Sequence, residues 1–238
     1  MTFVPDNYTR RARLYPLLIV AIPIGTTTLA FFPDGFSSWK TLWSLVTWCG
    51  GVALLAQLGR DWGKRKEPQL FRTWGGAPTT RRLRFRDAPN PALLAHRHHQ
   101  LSSMFRDLAL PSEMEEADDA ARADQVYEAC VQLLRDKTRD RKCFPLVFEE
   151  NCNYGFRRNL WGMKPIGVTT AVLGIIVTLA VGYLYENIAS PGVIAVAAIN
   201  FLLLIIWLFC VTANWVRVPA DAYAERLLDS IDGLSHSS

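Results

Sequence analysis

The chain has 238 residues, of which 50% are hydrophobic and 20% charged, and it carries a formal net charge of +4. Its five cysteines are scattered without CxxC spacing, so we expect neither a structural zinc site nor a redox-active pair. The small net charge gives no reason to expect specific nucleic-acid binding. The high apolar content instead fits a membrane protein with a modest polar domain.

Four stretches contain no charged residue and are 19, 19, 20 and 24 residues long: Leu14–Phe32, Thr41–Gly59, Ile166–Tyr185 and Val193–Val216. About 20 apolar helical residues cross a bilayer core of about 30 Å, so each stretch is long enough to span. The connections Pro33–Lys40 and Glu186–Gly192 are short, which makes each pair of spans a hairpin. We therefore predict an all-α integral membrane protein with four transmembrane helices, arranged as two hairpins that flank an α-helical cytosolic domain.

The prediction divides the chain into four parts. An N-terminal transmembrane hairpin occupies residues 1–59, a helical cytosolic domain 60–165, a C-terminal transmembrane hairpin 166–216 and a cytosolic tail 217–238. Of the 26 lysines and arginines, 25 lie on the side of the middle segment, and only Lys40 lies in a hairpin connection. Because basic residues near span ends are retained in the cytoplasm, we expect an inner or plasma membrane protein with both termini cytoplasmic.

The chemistry of the spans restricts the transport functions that are open to the protein. No Asp, Glu, Lys, Arg or His lies inside any of the four stretches, which argues against proton-coupled transport and voltage sensing. Pro23 is expected to kink the first span, and nearby hydroxyls can satisfy the carbonyls that a kink frees. The candidate pore-lining residues are Thr26, Thr27, Thr28, Thr170 and Asn200. The alternative is that these polar groups and the glycines of the third span serve packing between helices.

The cytosolic segment is predicted to be helical throughout, because turn signals separate patterns of helical period. Short helices are expected over Glu67–Trp74 and Thr79–Arg86, and a longer one begins at Pro91. Ser112 and Glu115 have the spacing of a capping box at the start of the next helix. An apolar stripe at helical period follows, formed by Val126, Tyr127, Cys130, Leu133 and Leu134.

The run WGGAPTTRRLRFR from Trp74 to Arg86 is the best candidate binding site. A Gly-Gly turn permits close backbone approach, a helix start capped by threonine exposes free backbone donors, and arginine makes bidentate phosphate contacts. We therefore predict that an anion or phosphate-bearing ligand binds at Gly75, Gly76, Thr79, Thr80, Arg81, Arg82 and Arg84. The alternative is a basic surface helix that lies on anionic headgroups or pairs with the acidic run 113–124.

Two further clusters precede the third span. Glu149, Glu150, Arg157 and Arg158 are candidates for the cytoplasmic mouth of a pore. His96 and His99 lie one helical turn apart, but no third ligand is near them in sequence, so we predict no metal site. We also expect no catalytic residues and no cofactor.

The layout of two hairpins around a helical cytosolic domain resembles small bacterial membrane effectors and channel-like proteins, at the level of architecture alone. The charge-free spans, the kinked and threonine-bearing first span and the candidate anion site favour an oligomeric membrane protein whose cytosolic sensing domain controls a channel-like or membrane-permeabilising activity. The alternative is a non-conducting membrane anchor or signalling adaptor that recruits a cytosolic partner. A membrane enzyme is the third hypothesis, and since no motif supports it we expect no enzymatic activity. The expected partners are the lipid bilayer, further copies of the chain, and a phosphate-bearing ligand or a cytosolic protein.

Overall fold

The computed structural model describes residues 8–31, 38–185 and 188–235, and for residues 38–53 and 235 it describes the backbone alone. Every regular element in these ranges is helical, as predicted. The helices are α1 (Tyr15–Phe31), α2 (Ser38–Trp74), α3 (Pro78–Arg81), α4 (Pro91–Met104), α5 (Glu113–Asp118), α6 (Ala120–Lys137), α7 (Pro145–Gly162), α8 (Lys164–Leu184), α9 (Pro191–Ile205) and α10 (Ala213–Ser235). Two π-helical turns, Thr9–Leu14 and Ile206–Cys210, precede α1 and follow α9.

Three of these helical segments are long and apolar enough to cross a membrane: Thr9–Phe31, Lys164–Leu184 and Pro191–Cys210. The chain is therefore suited to association with a membrane. The predicted second span, Thr41–Gly59, falls within α2, but the side chains of residues 41–53 lie outside the described residues. Parts of both predicted hairpin connections also lie outside them, so four spans and two hairpins stay predictions.

The chain divides into two compact units. The first, here called the apolar unit, comprises residues 1–67 and 155–216 and contains the three candidate spans. The second, here called the polar unit, comprises residues 68–154 and 217–238. The two ends of the predicted cytosolic segment, residues 60–67 and 155–165, belong to the apolar unit.

A stripe of glycines on α8 allows α9 and the π-helical turn after it to approach closely. A β-carbon at any of the three glycines would collide with a side chain of the facing helix, and the pairs are Gly167 with Trp207, Gly174 with Asn200, and Gly182 with Val193. Small residues serve this purpose in membrane helices, where lipid offers no hydrophobic drive for association. The interpretation of the glycines as packing residues is therefore confirmed within the apolar unit.

The outer surface of the candidate spans is apolar. Side chains that expose more than half of their surface include Leu18, Leu29, Leu173, Ile176, Phe201 and Leu202. Extensive exposed apolar surface of this kind marks a membrane or interaction site. The surface is consistent with contact between these helices and lipid.

The core of the polar unit is built on α6 and the C-terminal half of α10. Its fully buried members include Tyr127, Cys130, Leu134, Leu227, Leu228 and Ile231. The predicted stripe on α6 is wrong for Leu133, which is 42% exposed, whereas its neighbour Val131 is buried. Residues 127, 130, 131 and 134 have the i, i+3, i+4, i+7 spacing of one helix face, and residue 133 lies off that face.

Local signals at helix starts are confirmed. The Asn90 side chain accepts hydrogen bonds from the amides of Ala92 and Leu93 at 3.1 and 3.2 Å, so α4 begins at Pro91 as predicted. Ser112 and Glu115 form the predicted capping box of α5. Reciprocal bonds of this kind satisfy two backbone donors that have no partner within the helix.

Several helix ends differ from the predictions. The segment Glu67–Trp74 is not a separate helix, because α2 continues through Pro68 to Trp74. The segment Thr79–Arg86 is helical only as far as Arg81. The last span ends near Cys210, since the helix breaks at Val211 before α10 begins.

Candidate functional site

The predicted anion site lies in the polar unit, where the turn after α2 folds back on an arginine of its own chain. Gly75 and Gly76 have φ angles of +79° and +133°, which favour glycine. A β-carbon at Gly76 would lie 2.6 Å from Nη2 of Arg84. The close approach that the Gly-Gly pair permits is therefore used by the Arg84 guanidinium.

Arg84 is saturated with protein partners. Its Nε and Nη2 donate to the two carboxylate oxygens of Asp124, both at 2.8 Å, and its Nη1 donates to Gly75 O at 2.7 Å and to Asp87 at 3.0 Å. The side chain is only 9% exposed. A bidentate arginine–carboxylate pair is among the stronger ion pairs in proteins, so this guanidinium is committed to the fold rather than to a ligand.

Glu116 is the second centre of this network, and it is 2% exposed. Its carboxylate accepts hydrogen bonds from the amides of Phe85 and Arg86, from Nη1 of Arg86 at 2.9 Å and from the Tyr127 hydroxyl at 2.8 Å. Burial favours the protonated form, but the hydrogen bonds outweigh burial and hold the pKa of Glu116 below its usual value. Burial and the bond to Glu116 raise the pKa of Tyr127.

Asp124 and Glu116 of the acidic run are thus the partners of the arginine run, which was the alternative interpretation of the arginine run. Arg86 bridges the network, because its Nη2 also contacts both oxygens of Asp124 at 2.8 and 2.9 Å. Thr79 and Thr80 are buried and do not cap α3, which begins at Pro78 after Ala77. Proline fits the first helical position because it has no amide donor to satisfy, and this is why the helix starts one residue earlier than predicted.

Two of the predicted arginines keep a solvent-facing position beside a shallow pocket. Arg81 contacts Asp87 at 3.3 Å and Arg82 contacts Glu225 at 3.5 Å, and both side chains are about one-third exposed or less. The pocket has a volume of about 240 Å³, and its lining is Pro78, Arg81, Arg82, Asp87, Pro89, Arg217 and Asp221. Arg217 was not predicted, since 131 residues separate it from the nearest member of the run in sequence.

The predicted pore-lining residues lie in the apolar unit, and most are hydrogen-bonded there. The Thr26 hydroxyl donates to the carbonyl of Ile22 at 2.9 Å, and the Thr170 hydroxyl lies 3.0 Å from Gly167 O and 3.2 Å from Val20 O. Asn200 is fully buried, and its Nδ2 donates to Oγ1 of Thr27 at 3.3 Å. The amide therefore joins α9 to α1.

A groove of about 200 Å³ lies beside the proline of α1. Its lining is Pro23, Ile24, Thr27, Thr28, Thr170, Leu173, Gly174 and Val177. Thr28 is partly exposed, whereas Thr27 is buried. The groove places hydroxyl groups on an otherwise apolar surface.

The predicted cytoplasmic mouth is divided between the units. Glu149 and Glu150 belong to the polar unit, while Arg157 and Arg158 belong to the apolar unit. Arg158 pairs with Glu67 at 2.9 Å, and Arg157 donates to Trp215 O at 2.9 Å with its guanidinium 4.6 Å from the centre of the Trp215 ring. Each arginine thus holds two helices of the apolar unit together.

Two of the three histidines of α4 make contacts within the polar unit. His98 lies 2.8 Å from Leu83 O and meets the Phe85 ring edge-on at a centroid distance of 4.8 Å. Burial lowers the pKa of His98. His96 contacts Asp232 at 3.2 Å. Within the described ranges, no group of three His, Cys, Asp or Glu side chains is arranged to hold a metal ion.

A further contributor to the polar contacts, Lys164, was missed in the sequence, where it reads only as a topology signal. Its Nζ donates to Leu208 O at 3.0 Å and to Val211 O at 2.9 Å, where the π-helical turn ends. Lysine near a helix C-terminus satisfies the last carbonyls, and this signal is visible only once the break at Val211 is known.

Comparison with known proteins adds no relative, because no family model, curated protein or solved structure matches this chain.

Proposed function

We propose that the protein is an oligomeric, channel-like membrane effector in which the polar unit senses a ligand and the spans permeabilise the membrane. In this proposal four spans form two hairpins, and the polar unit and both termini lie in the cytoplasm. The basic residues near the span ends support that orientation.

The groove beside Pro23 is the observation that carries the proposal. Its hydroxyl-bearing wall, formed by Thr27, Thr28 and Thr170, opens on the surface of helices whose other outward side chains are mostly apolar. Polar groups within a membrane usually face a bundle interior or a water-filled path rather than lipid. A pore between copies of the chain would place Thr28 toward water, and the proline kink would let α1 change its shape.

The sensing role rests on the shallow pocket of the polar unit. The nearest carboxylate oxygen lies 3.3 to 3.5 Å from each of its three arginines. These contacts are longer than the 2.7 to 3.0 Å hydrogen bonds of Arg84. Arg81, Arg82 and Arg217 thus keep donors for a phosphate-bearing ligand, and arginine suits such ligands. Arg217 belongs to α10, which follows the third candidate span along the chain.

Flux from sealed vesicles tests this function. The full chain is reconstituted in vesicles loaded with a small fluorescent anion or with potassium, and release is measured with and without inorganic phosphate or pyrophosphate. The proposal expects release from the wild type and reduced release from Thr28→Val. The matched control is Thr169→Val, whose hydroxyl is exposed on α8 and bonded to Pro165 O. An absence of release in every state would overturn the proposal.

The second candidate function is a non-conducting adaptor. The observation that favours it is that Arg84, Arg86 and Glu116 are all engaged in ion pairs and hydrogen bonds within the polar unit. The unit can therefore present its other surface charges to a partner. Reversing the charge of Arg82 or Arg217 leaves that network intact and changes the surface. Loss of a specific partner in affinity purification from membranes, together with no vesicle release, would favour the adaptor.

A further inference from the structure

Charge is divided unevenly between the two units. Among the residues whose side chains are described, the apolar unit has ten lysines and arginines but only two carboxylates, Asp61 and Glu67, a net charge of +8. The polar unit has 15 basic and 17 acidic residues, a net charge of −2. The positive charge of the chain is therefore concentrated on the unit that contains the candidate spans.

The ten cations occupy three short stretches: 10–13, 60–66 and 157–164. Contacts between helices bring these stretches to one end of the apolar unit. Asn159 donates to Ala12 O at 2.8 Å, and Gly63 packs against both Asn159 and Gly162. Because glycine and asparagine allow this close packing, the basic residues on all three stretches surround the same end of the spans.

Some of these ten basic residues bond to other groups of the apolar unit, and others are left for another partner. Arg157, Arg158 and Lys164 bond to groups of the apolar unit, as described above. Lys64 and Arg65 are exposed and make no hydrogen bond or ion pair with any residue that the structure describes. They follow each other on α2, one turn after Arg60, whose contact with Asp61 is long at 3.9 Å.

Aromatic side chains accompany these cations. The ammonium group of Lys66 lies 5.4 Å from the centre of the Trp161 ring, and Trp62 and Trp215 are partly exposed at the same end of the unit. Tryptophan is enriched at the headgroup level of membranes, where one part of the ring is wet and the other apolar. In a bilayer, exposed cations beside such rings would lie at the depth of the lipid phosphates.

We propose that the α2 segment Arg60–Lys66 binds the headgroups of anionic phospholipids, with Lys64, Arg65 and Lys66 as the main contacts. Consecutive residues of an α-helix are about 100° apart, so these cations point in different directions around α2 instead of converging on a cavity. This arrangement suits several lipid phosphates rather than one free anion. The proposal holds whether or not the spans conduct. It commits to lipid, and free phosphate is an outcome that the test separates.

Quenching of tryptophan fluorescence by brominated lipid measures this preference, because Trp62 and Trp161 lie beside the cations. The full chain is placed in phosphatidylcholine bilayers with an increasing fraction of brominated phosphatidylglycerol, and the relative binding constant is obtained from the quenching curve. Each cation near an anionic surface strengthens binding about fivefold. The wild type is expected to prefer phosphatidylglycerol, and Lys64→Gln/Arg65→Gln is expected to reduce that preference about 25-fold at low salt.

The matched control is Arg139→Gln/Arg141→Gln, which removes two exposed cations from the polar unit. It should keep the wild-type preference. A wild type without preference, or an α2 variant with the wild-type preference and an unchanged circular dichroism spectrum, would overturn the proposal. If millimolar inorganic phosphate reduced the quenching of the wild type as much as the α2 substitutions do, the proposal would also be overturned, since the site would then bind the free anion. Because the readout is lipid binding, it stays separate from vesicle release.

Discussion

The side-chain amide of Asn200 lies directly against the backbone of Gly174: a β-carbon at position 174 would be 2.8 Å from both Cγ and Oδ1 of the asparagine. The same amide donates to Thr27, so this one contact ties α8, α9 and α1 together. The polar group that the sequence presented as a pore candidate is therefore part of the packing of the apolar unit.

Replacing Gly174 should destabilise the apolar unit. Gly174→Ala is expected to cost about 1–3 kcal/mol, because the added methyl overpacks the contact with Asn200. The loss is measured as a lower midpoint of thermal unfolding in detergent micelles. Gly25→Ala is the control, since a β-carbon there meets nothing within 4 Å. A Gly174→Ala protein as stable as the wild type would contradict the packing assignment.

Removing the Glu116 carboxylate should destabilise the polar unit. Glu116→Ala leaves two backbone amides, the Tyr127 hydroxyl and the Arg86 guanidinium without their shared acceptor, and is expected to cost about 3–5 kcal/mol, as for other broken buried ion pairs. Denaturant unfolding followed by circular dichroism measures the change. Glu128→Ala, at an exposed position of α6, should change stability by less than about 0.5 kcal/mol. Equal effects of the two substitutions would show that the network does not stabilise the fold.

The stability of the polar unit should fall as pH drops below about 6.5, the usual pKa of histidine. Burial lowers the pKa of His98, so between its folded and unfolded pKa values the unfolded chain binds a proton that the folded chain does not. The free energy of unfolding therefore rises with pH in that window. Unfolding midpoints between pH 5 and 8 test this, and His98→Gln should flatten the curve. His99→Gln, at an exposed neighbour, should keep it.

Thiol labelling should separate the cysteines by burial. Burial raises the pKa of Cys130 to about 12, and Cys152 is also buried, so neither should react with a maleimide in the native protein at neutral pH. Cys143 is exposed and should react first. Mass spectrometry of labelled peptides identifies the sites. Rapid labelling of Cys130 without denaturant would show that the core of the polar unit opens.

A membrane-impermeant maleimide also tests orientation through Cys143. If the polar unit lies in the cytoplasm, as proposed, intact cells should protect Cys143, and permeabilised cells should expose it. The variant Cys143→Ser is the control for labelling elsewhere. Complete labelling in intact cells would place the polar unit outside.

Much of the helix content could be predicted from the sequence, because apolar run length and capping residues act locally. Asn90 and Ser112 mark helix starts on their own, without any tertiary contact. The helix break at Val211 could not be predicted, since no proline or glycine marks it. The Val211 carbonyl accepts its hydrogen bond from Lys164, which is 47 residues away in sequence. Local patterns therefore identified helices better than their ends.

The candidate site shows the same division. The Gly-Gly turn and the arginine run are visible in sequence, but their partners depend on contacts across 30 to 40 residues. Arg84 and Arg86 are residues of the type that binds anions, and the anions they bind are the carboxylates of Asp124 and Glu116. Composition alone does not distinguish a ligand from a carboxylate of the same chain.

The polar groups at the two ends of α8 define the length of its apolar part. The Lys164 ammonium group is bonded at one end of α8, and the highly exposed Tyr183 and Tyr185 lie at the other. At about 1.5 Å per residue, the 19 steps from Lys164 to Tyr183 cover about 29 Å, which equals one hydrocarbon core of about 30 Å. Upright α8 therefore matches a membrane of ordinary thickness, and a bilayer several ångströms thicker or thinner would have to deform or tilt the helix.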